Sequence, residues 1–430
     1  MRSSKQKLSI LAGALALGVL TVTTAAQAQT VLNMGGSSAG RNFATDVPLN
    51  LCDAGTSTAN YPNRYSSADN NRVTWVCNRG GLPIIIRYRA TGSSDGVNKL
   101  LQPASDPASN MAFLDHTLTA GCTGPVDTTR PSDGKHYNNT TGCANTNEIS
   151  LPVHMGASDV AGSSFHQVGP LGTSVNPLDD STLNSVQAVI VPFGLFVGKG
   201  LVKLDAAGTG PNGQISGLSR LQIERIFSGQ VTDWRQLGFG TVTDGAPGTL
   251  EGTSPITLCM RNAGSGTKAA FDETVMINSS EAIIASGTKV FSSSSSGVLA
   301  CIAGNRRSIG YLDADQVVSF NPGGANDGLG YVVRIDGALA NDPSLTDPKR
   351  DLKCGKFPYW VGWRLNRRTT SEGAAVDALA QAFVDNASAA ATISVIPTGA
   401  YWTADEEMFV SKNVDKGPLI FKSGAHPECR

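Results

Sequence analysis

PIIIRYRATGSSDG, residues 83–96, is the stretch that decides the fold. Pro83 to Tyr88 is a β-branched run of the kind that forms a buried strand, and it leads directly into the turn Thr91-Gly92-Ser93-Ser94-Asp95-Gly96. A helix is predicted after that turn. Strand, tight turn and helix in succession form the repeating unit of an α/β sheet. Similar glycine- and serine-rich turns recur on either side. Upstream, Val31-Leu32-Asn33-Met34 runs into Gly35-Gly36-Ser37-Ser38-Ala39-Gly40. Downstream, RNAGSGTKAAF (residues 261–271) passes from irregular chain through Gly264-Ser265-Gly266 into a helix. Between them, AVIVPFGLFV (188–197) reads as an apolar strand interrupted by Pro192, as expected where a strand bends or crosses between domains. Ser219 is placed to cap a helix with apolar positions Leu221, Ile223, Ile226 and Phe227, ending at Gly229. Val376, Leu379, Ala380, Phe383 and Val384 fall at i, i+3, i+4, i+7 and i+8, the apolar stripe of an amphipathic helix.

The chain has 430 residues, 40% hydrophobic and 16% charged, with 48 Gly and 21 Pro, which excludes a disordered chain and a coiled coil. The length allows two or three domains, each able to bury a core. A formal charge of −1 argues against a generally basic surface and hence against nucleic acid as a partner. Any bound anion must be held locally. Residues 1–28 read as a signal peptide: Arg2, Lys5 and Lys7 precede the apolar stretch Leu8 to Val22, and Ala26-Gln27-Ala28 has the small-x-small form of a cleavage site. Its removal takes the formal charge to −4. No cysteine sits at the cleavage point to carry a lipid, and the expected location is periplasmic or secreted. Residues 102–150 are rich in Thr, Asn, Gly, Pro and Asp and read as a surface excursion tied by a disulfide.

Eight cysteines lie at 52, 77, 122, 143, 259, 301, 354 and 429, and in an oxidising compartment they read as disulfides. Nearest-neighbour pairing gives Cys52 with Cys77, Cys122 with Cys143, Cys259 with Cys301 and Cys354 with Cys429, one of many possible connectivities. The five histidines show no ligand spacing, so neither a metal nor another cofactor is expected.

The chemistry is concentrated in the three glycine- and hydroxyl-rich turns. A helix opening at Gly264-Ser265-Gly266-Thr267 offers unpaired amides and positive dipole density to an anion. Arg261 just upstream supplies a planar fork for two oxygens of a tetrahedral oxyanion. Turns of this kind sit where an α/β sheet presents its ligand-binding edge.

In order and spacing, five stretches resemble the periplasmic phosphate-binding proteins of PstS type, the soluble component of phosphate ABC importers: YRATGSSDG (88–96), GASD (156–159), IFSGQVTDW (226–234), RNAGSGTKAAF (261–271) and IGY (309–311). The resemblance spans nearly the whole mature chain. It implies a type II periplasmic-binding fold, α/β, with two lobes and a ligand cleft between them. Lobe 1 would comprise residues 29–190 and 358–430, and lobe 2 residues 191–357, with 188–197 and FPYWVGWRL (357–365) as the crossovers. It also implies an exported monomer that captures inorganic phosphate without chemical change and delivers it to an ABC permease. Ser93, Asp159, Arg261, Ser265, Gly266 and Thr267 are then ligand contacts. Asp159 would accept the proton that hydrogen phosphate carries and sulfate lacks.

Three departures from that pattern stand out. The family's first loop, usually G-A-x-A-T-F-P, is replaced by Gly36-Ser37-Ser38-Ala39-Gly40-Arg41, where Ser37 and Ser38 stand in for its hydroxyl. Asp95 occupies a place that commonly holds a small residue, and the 102–150 excursion replaces a short helix. Two alternatives to capture are a secreted phosphomonoesterase with Ser or Thr as nucleophile and a non-transport extracellular protein reusing the fold. The matched turns contain no histidine to act as a general base, which argues against the first.

Overall fold

The apolar runs become strands of one large sheet. The computed structural model describes residues 29–165, 175–244, 246–277, 289–422 and 427–429, so the signal peptide reading, His166 and His426 lie outside the described residues. The first part of the chain forms β1 (Thr30–Gly36), β2 (Asn63–Ser67), β3 (Arg72–Arg79), β4 (Leu82–Ala90), β5 (Asn110–Leu114), β6 (Thr123–Thr129), β7 (His136–Cys143), β8 (Glu148–Pro152) and β9 (Met155–Ser158). The long β10 (Leu183–Gly198) follows, then β11 (Leu201–Leu204), β12 (Pro211–Gln214), β13 (Gly217–Leu218), β14 (Phe239–Thr243) and β15 (Ala246–Leu250). The remaining strands of the large sheet are β16 (Thr257–Arg261), β17 (Lys289–Ser292), β18 (Ser308–Asp313), β19 (Gly330–Ile335) and β20 (Trp360–Arg368).

The large sheet runs β17-β16-β18-β10-β20-β9-β1-β4-β3-β2-β7-β6, with β19 also on β10; β11, β12, β14 and β15 form a smaller sheet. This is a mixed α/β fold, as expected. Each half of the large sheet contains a parallel group: β4, β1 and β9 in one, β17, β16 and β18 in the other. The halves are joined through β10 and β20. Residues 183–192 of β10 pair antiparallel with β20, whereas 193–198 pair with β18 and β19. Pro192 pairs with Trp360, the first residue of β20, at the point where β10 exchanges partners. A residue without an N–H is tolerated in a central strand there because the ladder is changing hands.

The strand read at 83–88 extends over Leu82–Ala90, and α3 (Ser93–Leu101) begins inside the turn, at Ser93. The first helices, α1 (Arg41–Asp46) and α2 (Pro48–Leu51), follow the first turn. Ser219 caps α4 (Arg220–Phe227) in a capping box with Gln222. Ile223, Ile226 and Phe227 are buried but Leu221 is exposed, because an i, i+2 spacing puts it on the opposite face from Ile223. Helix α5 (Gly266–Phe271) continues into a π-helical turn over Asp272–Met276. Helix α6 (Ser295–Gly304), the short α7 (Arg350–Lys353) and α8 (Ala374–Ser388) complete the larger elements, and α8 buries Leu379, Ala380, Phe383 and Val384.

The 102–150 segment is more ordered than a loop excursion. β6 and β7 form a hairpin that extends the large sheet at β2, and β5 pairs with β8. Its polar composition follows from position: β6 is the outermost strand and mostly exposed, so it needs few apolar residues. Cys122–Cys143 staples this hairpin, and Cys52–Cys77, Cys259–Cys301 and Cys354–Cys429 complete the sequential pairing.

Aromatic clusters fix the walls near the strand ends. Phe43 stacks on Trp402 with centroids 4.7 Å apart and meets Trp363 edge-on at 5.7 Å. A Cβ at Gly40 would lie 2.4 Å from Trp363 Nε1, so only glycine lets α1 start against this cluster. In the other half Phe271 of α5 stacks on Tyr311 at 4.3 Å. Each such ring contributes about 1.5–3 kcal/mol by burial.

Candidate functional site

The residues singled out from the three turns sit at the carboxyl ends of parallel strands, in both halves of the sheet. Ser37 and Ser38 follow β1, Ser93 follows β4, and Asp159 follows β9. Arg261 ends β16, and Ser265, Gly266 and Thr267 open the next helix. The carboxyl edge of parallel strands is where an open α/β sheet leaves room for a ligand, because the connecting turns splay apart there.

Asp159 is the centre of the first group. It is 1% exposed. Ser37 Oγ donates to Asp159 Oδ1, Ser93 Oγ accepts from the Asp159 backbone N–H at 3.2 Å, and a side-chain hydrogen bond from Ser93 also favours the ionised carboxylate. Ser37 Oγ also accepts from Gly40 N–H at 2.8 Å, so this hydroxyl is held at both ends and orients the carboxylate. Burial pushes the Asp159 carboxyl up to about 6, against the hydrogen bonds of Ser37 and Ser93 and the field of Arg261, which act the other way.

Arg261 is the centre of the second group and is also 1% exposed. Its Nη1 donates to Ser295 Oγ at 3.0 Å, and its Nη2 donates to Ser38 Oγ at 3.0 Å and to the Ser293 carbonyl at 3.2 Å. None of these partners is a carboxylate. The charges that act on it are Asp313 and Asp159, and burial is the larger influence, weakening its hold on the proton. The link from Arg261 to Ser38 crosses between the halves of the sheet.

Ser265 caps α5 by accepting from Lys268 N–H at 3.4 Å, and the Thr267 carbonyl accepts from Tyr359 Oη–H at 2.9 Å. The halves meet here: Ser94 N–H donates to the Gly264 carbonyl at 3.2 Å. A Cβ on Gly266 would lie 2.2 Å from Ser93 Oγ and 2.4 Å from Asp159 Oδ2. All eight residues expected to contact a ligand are therefore gathered around one junction. Asp95 is exposed on α3. Arg41 donates to Asn42 and Asn71 at the rim.

Among the described residues, Arg261 Nε, Thr267 Oγ1 and Asp313 Oδ1 are buried at this junction with no hydrogen-bond partner. Leaving such groups unpaired costs about 1–3 kcal/mol each, more when charged, and a polar ligand that met them would recover that cost. Asp313, the last residue of β18, and Ser295 were not singled out from the sequence. Asp313 stands two residues beyond IGY, and Ser295 lies inside the serine run 292–296, where nothing distinguishes it from its neighbours.

The described histidines are engaged elsewhere. His154 Nδ1 accepts from Asn33 N–H, His136 contacts Asp127 and stacks on Tyr61, and His116 packs against Tyr65. Among the described residues no group of three or more His, Cys, Asp or Glu side chains is placed to hold a metal ion.

Residues 172–347 match the model of the PBP superfamily domain. No curated protein matches. Similar solved structures include a protein from Clostridium perfringens with phosphate bound, 14% identical, with a TM-score of 0.48, covering 87% of this chain and 99% of that one. An ABC-type phosphate transport receptor from Vibrio cholerae is 12% identical, with a TM-score of 0.42 and coverage of 87% and 100%. A phosphate-binding protein from Stenotrophomonas maltophilia is 14% identical, with a TM-score of 0.44 and coverage of 84% of each chain.

Proposed function

We propose that this protein is an exported solute-binding protein that captures inorganic phosphate at the junction of the two sheet halves and serves ABC-type import. The observation that carries this reading is the presence at one junction of a buried cation, Arg261, and a buried, oriented carboxylate, Asp159, among hydroxyls and glycine amides. Arg261 and the first-turn amides of α5 supply positive density for a tetrahedral anion. Asp159 accepts the hydrogen of a protonated oxyanion, while a fully ionised one such as sulfate meets like charge and an unsatisfied acceptor. Ser38, Ser265 and Thr267 add hydroxyl donors, Ser93 beside them holds Asp159, and Gly266 allows the backbone to approach. Capture without chemical change fits a site where, among the described residues, no imidazole lies beside the hydroxyls. Four disulfides fit a mature protein working outside the cytoplasm.

The test is isothermal titration of the mature, oxidised protein, unfolded and refolded to strip bound ligand, with phosphate, arsenate and sulfate in parallel. Phosphate and arsenate are expected to bind with a micromolar or lower Kd, about −8 kcal/mol or better, and sulfate at least about 100-fold more weakly. A folded protein that gives no heat with any of the three refutes the proposal.

A further inference from the structure

Asp313 is a buried carboxylate that the reading above does not use. It ends β18, is 1% exposed, and its Oδ2 accepts from Ser295 Oγ at 3.4 Å while Oδ1 has no partner. Ser295 Oγ in turn accepts from Arg261 Nη1, so Asp313 and Arg261 are linked through one hydroxyl. Of the charges acting on Arg261, Asp313 exerts the largest effect, ahead of Asp159. The guanidinium thus lies in the field of two carboxylates, and both it and Asp313 keep one polar atom unpaired.

We propose that Asp313 is a second proton-reading carboxylate of the same site, so that the cleft takes up phosphate together with a proton. The inference rests on the phosphate reading and adds the protonation state of what is captured. With both carboxylates ionised, Asp159, Asp313 and Arg261 sum to one negative charge before any anion arrives. A hydrogen phosphate dianion would bring that to three in a site closed to water, where little screens the repulsion. One proton from solvent removes a charge and supplies the missing donor. It rests either on the ligand, as dihydrogen phosphate giving one hydroxyl hydrogen to each carboxylate, or on Asp313, whose O–H then donates to a phosphate oxygen. No other bond forms or breaks.

The remaining groups that face Asp313 favour this. Asp159 and Asp315 raise its proton affinity, Arg261 and Arg41 lower it, and Tyr359 is close enough to feel its charge. Asp315, 6% exposed, is held by Asn42 and Gln316 at the rim. Burial is the largest influence and holds the Asp313 carboxyl well above the usual carboxylate range.

The experiment is calorimetric titration of the stripped protein with phosphate at pH 9, in two buffers of different ionisation enthalpy, repeated between pH 8 and 10. In this range free phosphate is mainly the dianion, so proton uptake reports on the site. Wild type is expected to take up about one proton per phosphate, with Kd rising about tenfold per pH unit. Asp313→Asn is expected to bind with no uptake and a flat pH profile. A purely structural link from Asp313 through Ser295 to Arg261 would alter affinity without altering the proton count. Tight wild-type binding without uptake overturns the inference and leaves phosphate capture standing, and it does so even if the variant does not fold. Uptake that persists in Asp313→Asn places the proton on another group, Asp159 or Asp315, and also overturns it. Absence of phosphate binding by wild type at any pH overturns both readings.

Discussion

Replacing Gly266 by alanine tests whether the junction between the halves is the binding site. The added Cβ would lie 2.2 Å from Ser93 Oγ, 2.4 Å from Asp159 Oδ2 and 2.7 Å from Asp159 Cβ. Comfortable contacts are about 3.5 Å, so the two surfaces must part by roughly 1 Å. The Asp159 carboxylate cannot swing aside cheaply, because Ser37 and Ser93 both hold it. Overpacking of this kind costs about 1–3 kcal/mol. The cost falls on the contact between halves rather than on either half alone. Gly266 is the first residue of α5, and alanine there favours the helix by up to about 0.5–1 kcal/mol. Gly266→Ala is therefore expected to weaken phosphate binding about 5- to 150-fold by isothermal titration, at 1.4 kcal/mol per tenfold. The thermal midpoint without ligand should fall little, and small-angle scattering with phosphate should show a larger radius of gyration than wild type. Unchanged affinity together with an unchanged radius would refute the reasoning.

Arg261→Ala and Asp159→Ala should each abolish measurable phosphate binding while circular dichroism shows a folded protein; retained affinity in both removes these residues from the site. Removing Arg261 leaves Asp159 and Asp313 facing each other, so its variant should also unfold earlier at pH 8 than at pH 5 by more than wild type does. The Asp159 carboxyl, raised from 3.8 to about 6, contributes stability that is fully present below about pH 3.8 and is lost as the pH rises through about 6. Asp159→Asn should therefore stabilise the ligand-free protein by about 3 kcal/mol at pH 8 and by little at pH 4, measured by denaturant unfolding at each pH. An equal effect at both pH values would show that the carboxyl is not buried as described. Cys259→Ser with Cys301→Ser opens a link across 42 residues, and chain entropy predicts a loss of about 4 kcal/mol in the same assay; a change below about 1 kcal/mol would count against that bond.

Local signals told a good deal. Residues 83–90 read as a strand because β-branched residues fit a pleated, buried surface, and they form β4. Ser219 and the period of 3.6 after it marked α4, and the stripe from Val376 to Val384 marked α8. The order of the cysteines suggested the pairing that is found. Leu221 showed the limit of such reasoning, since an apolar residue two positions from another on a helix belongs to the opposite face. The polar 102–150 segment showed another: strands at a sheet edge need little hydrophobic pattern, so composition hid β6 and β7.

By itself the sequence determined which turns follow which strands and which residues carry donors, acceptors and charge, because these depend on neighbours within a few positions. Only the tertiary structure decided that Asp159 and Gly266, 107 residues apart, touch across the junction. It also brought Ser38 to Arg261 over 223 residues and set Asp313 beside Ser295 with one oxygen unpaired. The physical reason is that charge burial and close backbone approach depend on how β10 and β20 bring the two halves of the sheet together, a long-range arrangement that no local pattern encodes.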